Sequence, residues 1–255
     1  MWNCLVGYYY RNLGEKMHKK IAKYYDERKI NIGTYLAKDI EKKNYYALRY
    51  VRYAINNLAQ VQGMHCLLSE LAQFKDDSAI PNERYREYHN KIMELHCAYF
   101  VAKQLGLSIT KVESHRTKVK SPYRVGEKSC DIRASNETDD YYFEAKDCSV
   151  ELVTQYEKDG LVHVKPMDEE KVYMWITGKC EEAIEKGANY LCCRTPMWVD
   201  YRPRKYYRWV KEVFPDIRTI APQEYQISLP LNDIPAFFKG FYIIKAWGFM
   251  KFHVT

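Results

Sequence analysis

No C-x-x-C pair, no H-E-x-x-H spacing and no G-x-x-x-x-G-K-[ST] loop occurs in this chain. The first two absences exclude the usual zinc modules, iron–sulfur sets and zinc hydrolases, and the third excludes ATP-driven action by the chain itself. Cys4, Cys66, Cys97, Cys130, Cys148, Cys180, Cys192 and Cys193 therefore read mostly as buried thiols. His89, His96, His115 and His163 lack ligand spacing and are expected to be structural or surface residues. The opening MWNCLVGYYYRNLGEK has no basic start followed by a long apolar run, and no later stretch has the apolar length of a membrane span. The expectation is an intracellular, cytoplasmic protein in a reducing setting, with no membrane partner. Internal repeats and low-complexity segments are also lacking.

What remains is a chain able to build a core: 255 residues, 47% apolar and 29% charged, long enough for one large domain or two small ones. The formal charge of +7 favours a polyanionic partner, although such an excess also serves solubility. Many of the 24 tyrosines sit beside Lys or Arg, as in KKNYYALRYVRY and RPRKYYRWVK. Such pairs can stack bases while the cations hold phosphates; the plainer reading is amphipathic helices with Tyr at the core edge.

Periodicity orders the elements. Residues 1–75 read as two or three helices, one face being Tyr46, Tyr50, Tyr53, Ala54 and Asn57, continued by Leu58, Val61, His65 and Leu68. KDDSAIPNE at 75–83 collects turn and capping residues and marks a boundary, separating a helical region 1–80 from a domain 81–255. A helix follows from Asn82 to Leu105, stopped by Gly106. LSITKVES, SCDIRAS and YYFEAK then read as strands, with NETDD as a turn, and SVELVTQY and LVHVKP read as a hairpin around Asp159-Gly160. Asp168 can cap a helix over 169–186 ended by Gly187, and NYLCCRT is a buried strand leading to a Pro-rich crossover. A short helix at 203–213, a strand near 217–220 and one or two aromatic-rich strands complete the chain.

One stretch resists a purely structural reading. In YYFEAKDCS a strand places Glu144 and Lys146 on one face and Tyr141, Phe143 and Ala145 on the other. If 129–135 and 141–146 form a hairpin around NETDD, the antiparallel partner of Glu144 falls close to Asp131, within a residue or so of register. Two carboxylates so placed repel unless a cation lies between them, and Mg2+ is held by one or two carboxylates plus waters and substrate phosphate. A neighbouring ammonium can orient an attacking water or steady charge on the phosphate. The same E-x-K spacing recurs at Glu27/Lys29, Glu41/Lys43 and Glu169/Lys171, all in charge-rich helical stretches that read as solvated faces. Lys171, Thr177 and Lys179, on the helix after the motif, are expected on solvated surface. The structural alternative for Glu144 and Lys146 is a surface cross-strand pair with Asp131 merely opposite.

Between about 82 and 195 the order helix, three strands, helix, strand, with CDIRAS and FEAKD as its two motifs, resembles the PD-(D/E)XK nuclease superfamily. The resemblance implies an α/β fold, a restriction-endonuclease-like αβββαβ core with a mixed sheet, here preceded by the amino-terminal helical region. It implies that Asp131 and Glu144 bind Mg2+, with Mn2+ as a substitute, that the Ala145 carbonyl adds a ligand, and that Lys146 assists the water nucleophile. Some members add a glutamate from the first core helix; Glu94 in NKIMELHCAYF is the candidate here, sharing a face with Ala98 and Val101, and an exposed helical glutamate is the alternative. Cys130 stands where the motif name has Pro.

Two functions follow as expectations. One is a Mg2+-dependent nuclease hydrolysing phosphodiester bonds, most naturally of DNA, and able to act as a homodimer as relatives that cut both strands often do. The other is a catalytically silent nuclease-fold module that binds nucleic acid or a protein partner through its basic, Tyr-rich surface.

Overall fold

A computed structural model describes residues 18–42, 44–75, 83–113, 130–147, 153–158, 161–166, 168–194, 203–231, 233–245 and 248–255. Several expectations fall outside them: the opening segment with Cys4, most of the 75–83 boundary including Asn82, His115, Cys148, the Asp159-Gly160 turn, the crossover after Arg194 and the side chain of His163. The fold is mixed α/β. Its strands form an eight-stranded mixed sheet, in the spatial order 108–112, 132–135, 140–146, 190–194, 240–245, 248–254, 224–227 and 218–221, and a separate two-stranded sheet of 153–158 and 161–166. Among the described residues no helix is long and apolar enough to cross a membrane.

By internal contacts the chain divides into two compact units, Met1–Val125 with Ile132–Asp139, and Gly126–Asp131 with Asp140–Thr255. This division does not follow the 80/81 boundary read from turn residues. In the first unit, residues 18–27 form α1, followed by α2 (Thr34–Glu41), α3 (Tyr45–Tyr53, continuing as a π-helical turn over Ala54–Leu58), α4 (Met64–Leu71) and α5 (Glu83–Lys103). Strands β1 (Ser108–Val112) and β2 (Ile132–Ser135) pair antiparallel.

The region before residue 75 thus holds more helices than the two or three expected. Glycine explains one break: Gly63 has φ +84°, and a Cβ there would lie 1.7 Å from the Val112 carbonyl oxygen. Only glycine tolerates both the conformation and the approach, and Val112 N–H donates to Gln62 O beside it. The anticipated continuous face is accordingly interrupted: Tyr50, Ala54, Leu58 and Leu68 are buried, but Asn57 is exposed and residues 59–63 leave the helix. Tyr25, Tyr50 and Tyr88 lie in the core. The helix of α5 ends as expected, with Gly106 at φ +69° and Leu107 N–H donating to Val101 O.

The second unit contains β3 (Asp140–Lys146), the hairpin β4 (Val153–Lys158) and β5 (Leu161–Pro166), α6 (Glu169–Glu185), β6 (Tyr190–Arg194) and α7 (Pro203–Val213). It continues through β7 (Arg218–Ala221), β8 (Glu224–Ile227), β9 (Gly240–Lys245) and β10 (Gly248–Val254). Strands β3 and β6 are parallel, as are β6 and β9, whereas β9 and β10 are antiparallel. The unforeseen strand is β8, which pairs in parallel with β10 and antiparallel with β7.

The core of this unit follows from two periods. On α6, Val172, Ile176, Cys180 and Ala183 recur at helical spacing; on β6 and β9, Leu191 and Cys193, and Phe241 and Ile243, recur at strand spacing, and all are buried in one cluster. Phe252 of β10 stacks on Phe241 with ring centroids 4.6 Å apart. Asp168 caps α6 by accepting the Lys171 N–H at 2.9 Å, and Gly187, at φ +73°, ends it, both as expected. Cys97, Cys130, Cys180, Cys192 and Cys193 are buried free thiols, and Cys66 is a half-buried one.

Candidate active site

Strand β3 and the edge of α6 build the site. Glu144 lies opposite Leu191 and Lys146 opposite Cys193 across the parallel β3–β6 ladder, so both side chains leave the sheet on the side where α6 packs. Glu144 is fully buried and Asp131 is 5% exposed. The Asp131 carboxylate accepts the main-chain N–H of Ala145 at 2.8 Å, which fixes it beside Glu144. The solvated cross-strand pair considered from sequence is therefore excluded by burial.

Two ammoniums reach Glu144, and a third holds Glu182 beside them. Lys146 Nζ lies 3.0 Å from Glu144 Oε1 and 3.6 Å from Glu182 Oε2, and Lys179 Nζ lies 2.6 Å from Glu182 Oε1. Lys186 Nζ also hydrogen-bonds Glu144 Oε1. Lys179, Glu182 and the C-cap Lys186, at spacing i, i+3 and i+7, form one charged edge along α6 and its cap. Lys179 was expected on solvated surface, yet its side chain is only 20% exposed because this edge faces β3. Thr177, expected there too, is buried, with Oγ1 donating to Tyr173 O at 3.0 Å, because it lies beside the apolar stripe of α6. Lys171 is exposed as expected.

The electrostatics follow from burial. Burial raises the Glu144 carboxyl, and the nearby charge of Asp131 raises it further; Lys146 and Lys186 only partly offset this. Burial alone would lower Lys146, but the charges of Glu144 and Asp131 outweigh it and hold the ammonium above its ordinary range. Modest burial would raise Glu182, yet the Lys179 hydrogen bond and the charges of Lys146, Lys179 and Lys186 keep it below the usual carboxylate range.

The surroundings hold this geometry in place. The Cys130 thiol donates to Lys186 O at 3.3 Å, tying the segment before β2 to the end of α6. Cys130 is buried with Cys180, Ala183 and Ala188, so the residue at the motif's proline position packs the site's floor. The Arg194 guanidinium makes two hydrogen bonds to the buried Asp147 carboxylate, Nε to Oδ1 at 3.3 Å and Nη2 to Oδ2, linking the ends of β6 and β3.

Of the residues singled out from sequence, Asp131, Glu144, Ala145 and Lys146 are brought together in the second unit. Glu94 belongs to the first unit, where it is buried, not an exposed helical glutamate, and pairs with Lys91 at 2.8 Å. Lys91 also lies 3.5 Å from Glu70, and these residues line a cavity of about 420 Å³ in that unit. His96 is buried against Tyr50, ring centroids 4.1 Å apart, a packing role. Sequence reasoning missed Lys186 and Glu182, whose signal was the charged i, i+3, i+7 stripe beside the apolar stripe of α6.

A metal can be tested against the donor set. Among the described residues no group of three or more His, Cys, Asp or Glu side chains converges as a ready-made cage. Two carboxylates do converge, and Glu144 Oε2 is a buried oxygen with no hydrogen-bond partner among the described residues. A buried carboxylate oxygen left unsatisfied is costly, and a hard divalent ion that keeps several waters needs only one or two such ligands. The residues present fit Mg2+ or Mn2+ better than a softer metal, since no thiol or imidazole takes part. No family model, no curated protein and no solved structure matches the chain.

Proposed function

We propose that the protein is a divalent-metal-dependent nuclease, with α5, β1, β2, β3, α6 and β6 as a restriction-endonuclease-like core. The observation that carries this reading is the buried carboxylate pair Asp131 and Glu144, with an unsatisfied oxygen on Glu144 and the Lys146 ammonium beside it. A fold without catalytic duty gains nothing from burying two mutually repelling acids, because such groups lower stability unless a function retains them.

In this reading Asp131, Glu144 and the Ala145 carbonyl hold Mg2+, which supplies charge neutralisation at the phosphate and a more acidic water. In the metal-free site the charges of Glu144 and Asp131 hold the Lys146 ammonium above its ordinary range. In this reading Lys146 is the hydrogen-bond donor that orients the water or pairs with the phosphate. In the reaction the water oxygen bonds to phosphorus and releases a proton to solvent while the bond to the leaving oxygen breaks, and that oxygen takes a proton from solvent. A net charge of +7 suits a polyanionic substrate, and DNA is the substrate we favour.

The test is cleavage of supercoiled, linear and single-stranded DNA and of RNA, with Mg2+, Mn2+ or EDTA, by the wild type and Lys146→Ala. Metal-dependent cutting by the wild type, lost in Lys146→Ala, is the expected result. Binding without cutting on every substrate would replace this reading with that of a silent binding module.

A further inference from the structure

We propose that Lys186 is the exchangeable counter-ion of this site: its ammonium holds Glu144 until a divalent cation takes that carboxylate, and then turns to a phosphate oxygen. The inference rests on the metal reading of Asp131 and Glu144 and assigns a role to a residue from α6.

The first observation is redundancy. Both Lys146 and Lys186 point at the same oxygen, Glu144 Oε1, while Oε2 has neither. Lys146 also reaches Glu182, 3.6 Å away, and Lys179 is committed to Glu182 at 2.6 Å. Lys186 is thus the ammonium most readily released without losing the geometry of the others.

The second observation is a rigid base under a free arm. Lys186 caps the C-terminus of α6, with its N–H donating to Glu182 O at 3.1 Å and its carbonyl accepting the Cys130 thiol. Its side chain, by contrast, is 31% exposed, so the charged end can swing into solvent while the backbone stays fixed.

The third is charge. Among the described residues Lys146, Lys179 and Lys186 face Asp131, Glu144 and Glu182, three cations against three anions. A divalent cation adds two positive charges to a neutral cluster, and the phosphate that restores the balance meets an ammonium with three donors already at the rim. Lys186 is in these terms a positioning residue for Glu144 in the metal-free state and a phosphate-holding residue in the loaded one.

Calorimetric titration of Mn2+ into the whole chain, with and without inorganic phosphate, tests this on the wild type, Lys186→Met, Lys186→Arg and Lys179→Met. Without phosphate, Lys186→Met is expected to bind Mn2+ about tenfold more tightly, because no charge-assisted hydrogen bond must be given up. Lys179→Met, which leaves the contact to Glu144 intact, is expected to change the affinity by much less. Phosphate is expected to tighten Mn2+ binding in the wild type and in Lys186→Arg, and not in Lys186→Met. Equal effects of Lys186→Met and Lys179→Met, or phosphate coupling that survives in Lys186→Met, overturns the assignment while the metal reading stands. Absence of Mn2+ binding by the wild type overturns both.

Discussion

Replacing Asp131 by Asn separates the stability of the site from its function. The amide keeps the shape and can still accept the Ala145 N–H that the carboxylate now accepts at 2.8 Å. What changes is charge. A hydrogen bond to an ionised group is worth about 1 kcal/mol more than a neutral one, so the substitution loses roughly that much. It also removes the repulsion that raises Glu144, an opposing gain of the same order. In metal-free buffer the two nearly cancel, and for a chain this long a residual of about 1 kcal/mol moves Tm by only about 2–4 °C. The metal changes the comparison. At a concentration about a hundredfold above Kd, a bound ion stabilises the wild type by about 2.7 kcal/mol, or roughly 5–11 °C. Thermal melts with EDTA and with Mg2+ or Mn2+ should therefore show a large metal-dependent rise in the wild type and little or none in Asp131→Asn, from similar starting points. An equal rise in both proteins, or a loss of more than about 10 °C in Asp131→Asn with EDTA, would refute the reasoning. The first result would place the ion elsewhere, and the second would make Asp131 a structural residue.

Other outcomes follow from the same electrostatics and packing. Glu144 has a folded-state carboxyl raised above its ordinary 4.5, so its contribution to stability is present below that value and is lost as pH rises through the folded pKa. Glu144→Gln should thus gain Tm relative to the wild type as metal-free buffer is taken from below pH 4.5 to neutrality; a gain that is flat with pH would contradict the assignment. Burial also raises the Tyr25 and Tyr88 phenols, whose stabilising effect is present below their ordinary value of 10.0 and lost above it. Alkaline unfolding, followed by tyrosinate absorbance, should begin above pH 10.0, and release of these phenols without loss of helical signal would count against it. In the core of the second unit, Phe252→Ala should cost about 3–5 kcal/mol in denaturant melts, while Lys171→Ala at the exposed start of α6 stays within about 0.5 kcal/mol.

Local chemistry makes much of this readable in the sequence. Asp168 as a cap, Gly106 and Gly187 as helix ends, and YYFEAK as a strand rest on rules of one or a few residues, and each holds in the fold. The convergence of Asp131 with Glu144 was equally local, because a short turn brings them together. There Asn136 accepts the N–H groups of Thr138 and Asp139. Non-local pairings were invisible. Strand β8 pairs in parallel with β10, some 27 residues further on by register, and Gly63 serves a carbonyl at Val112. No window of sequence holds both partners of such contacts.

The same limit explains why α6 was undervalued. Taken alone, Lys179, Glu182 and Lys186 are ordinary helical charges, and an ion pair at i, i+3 on an exposed helix is worth only a few tenths of a kcal/mol. Their meaning comes from the opposite wall. The stripe Val172, Ile176, Cys180 and Ala183 docks α6 on β6, and that docking turns the charged edge toward the strand that carries Glu144. Once there, the lysines face a carboxylate that water does not reach, where each charge counts for more than at the surface. The apolar face of one helix thus sets how the acids on a neighbouring strand are charged. A substitution that rotates α6, such as a bulky residue at Ala183, should act on the metal response before it acts on the fold, because the ammoniums must hold their positions to within a hydrogen bond while the core needs only to stay filled.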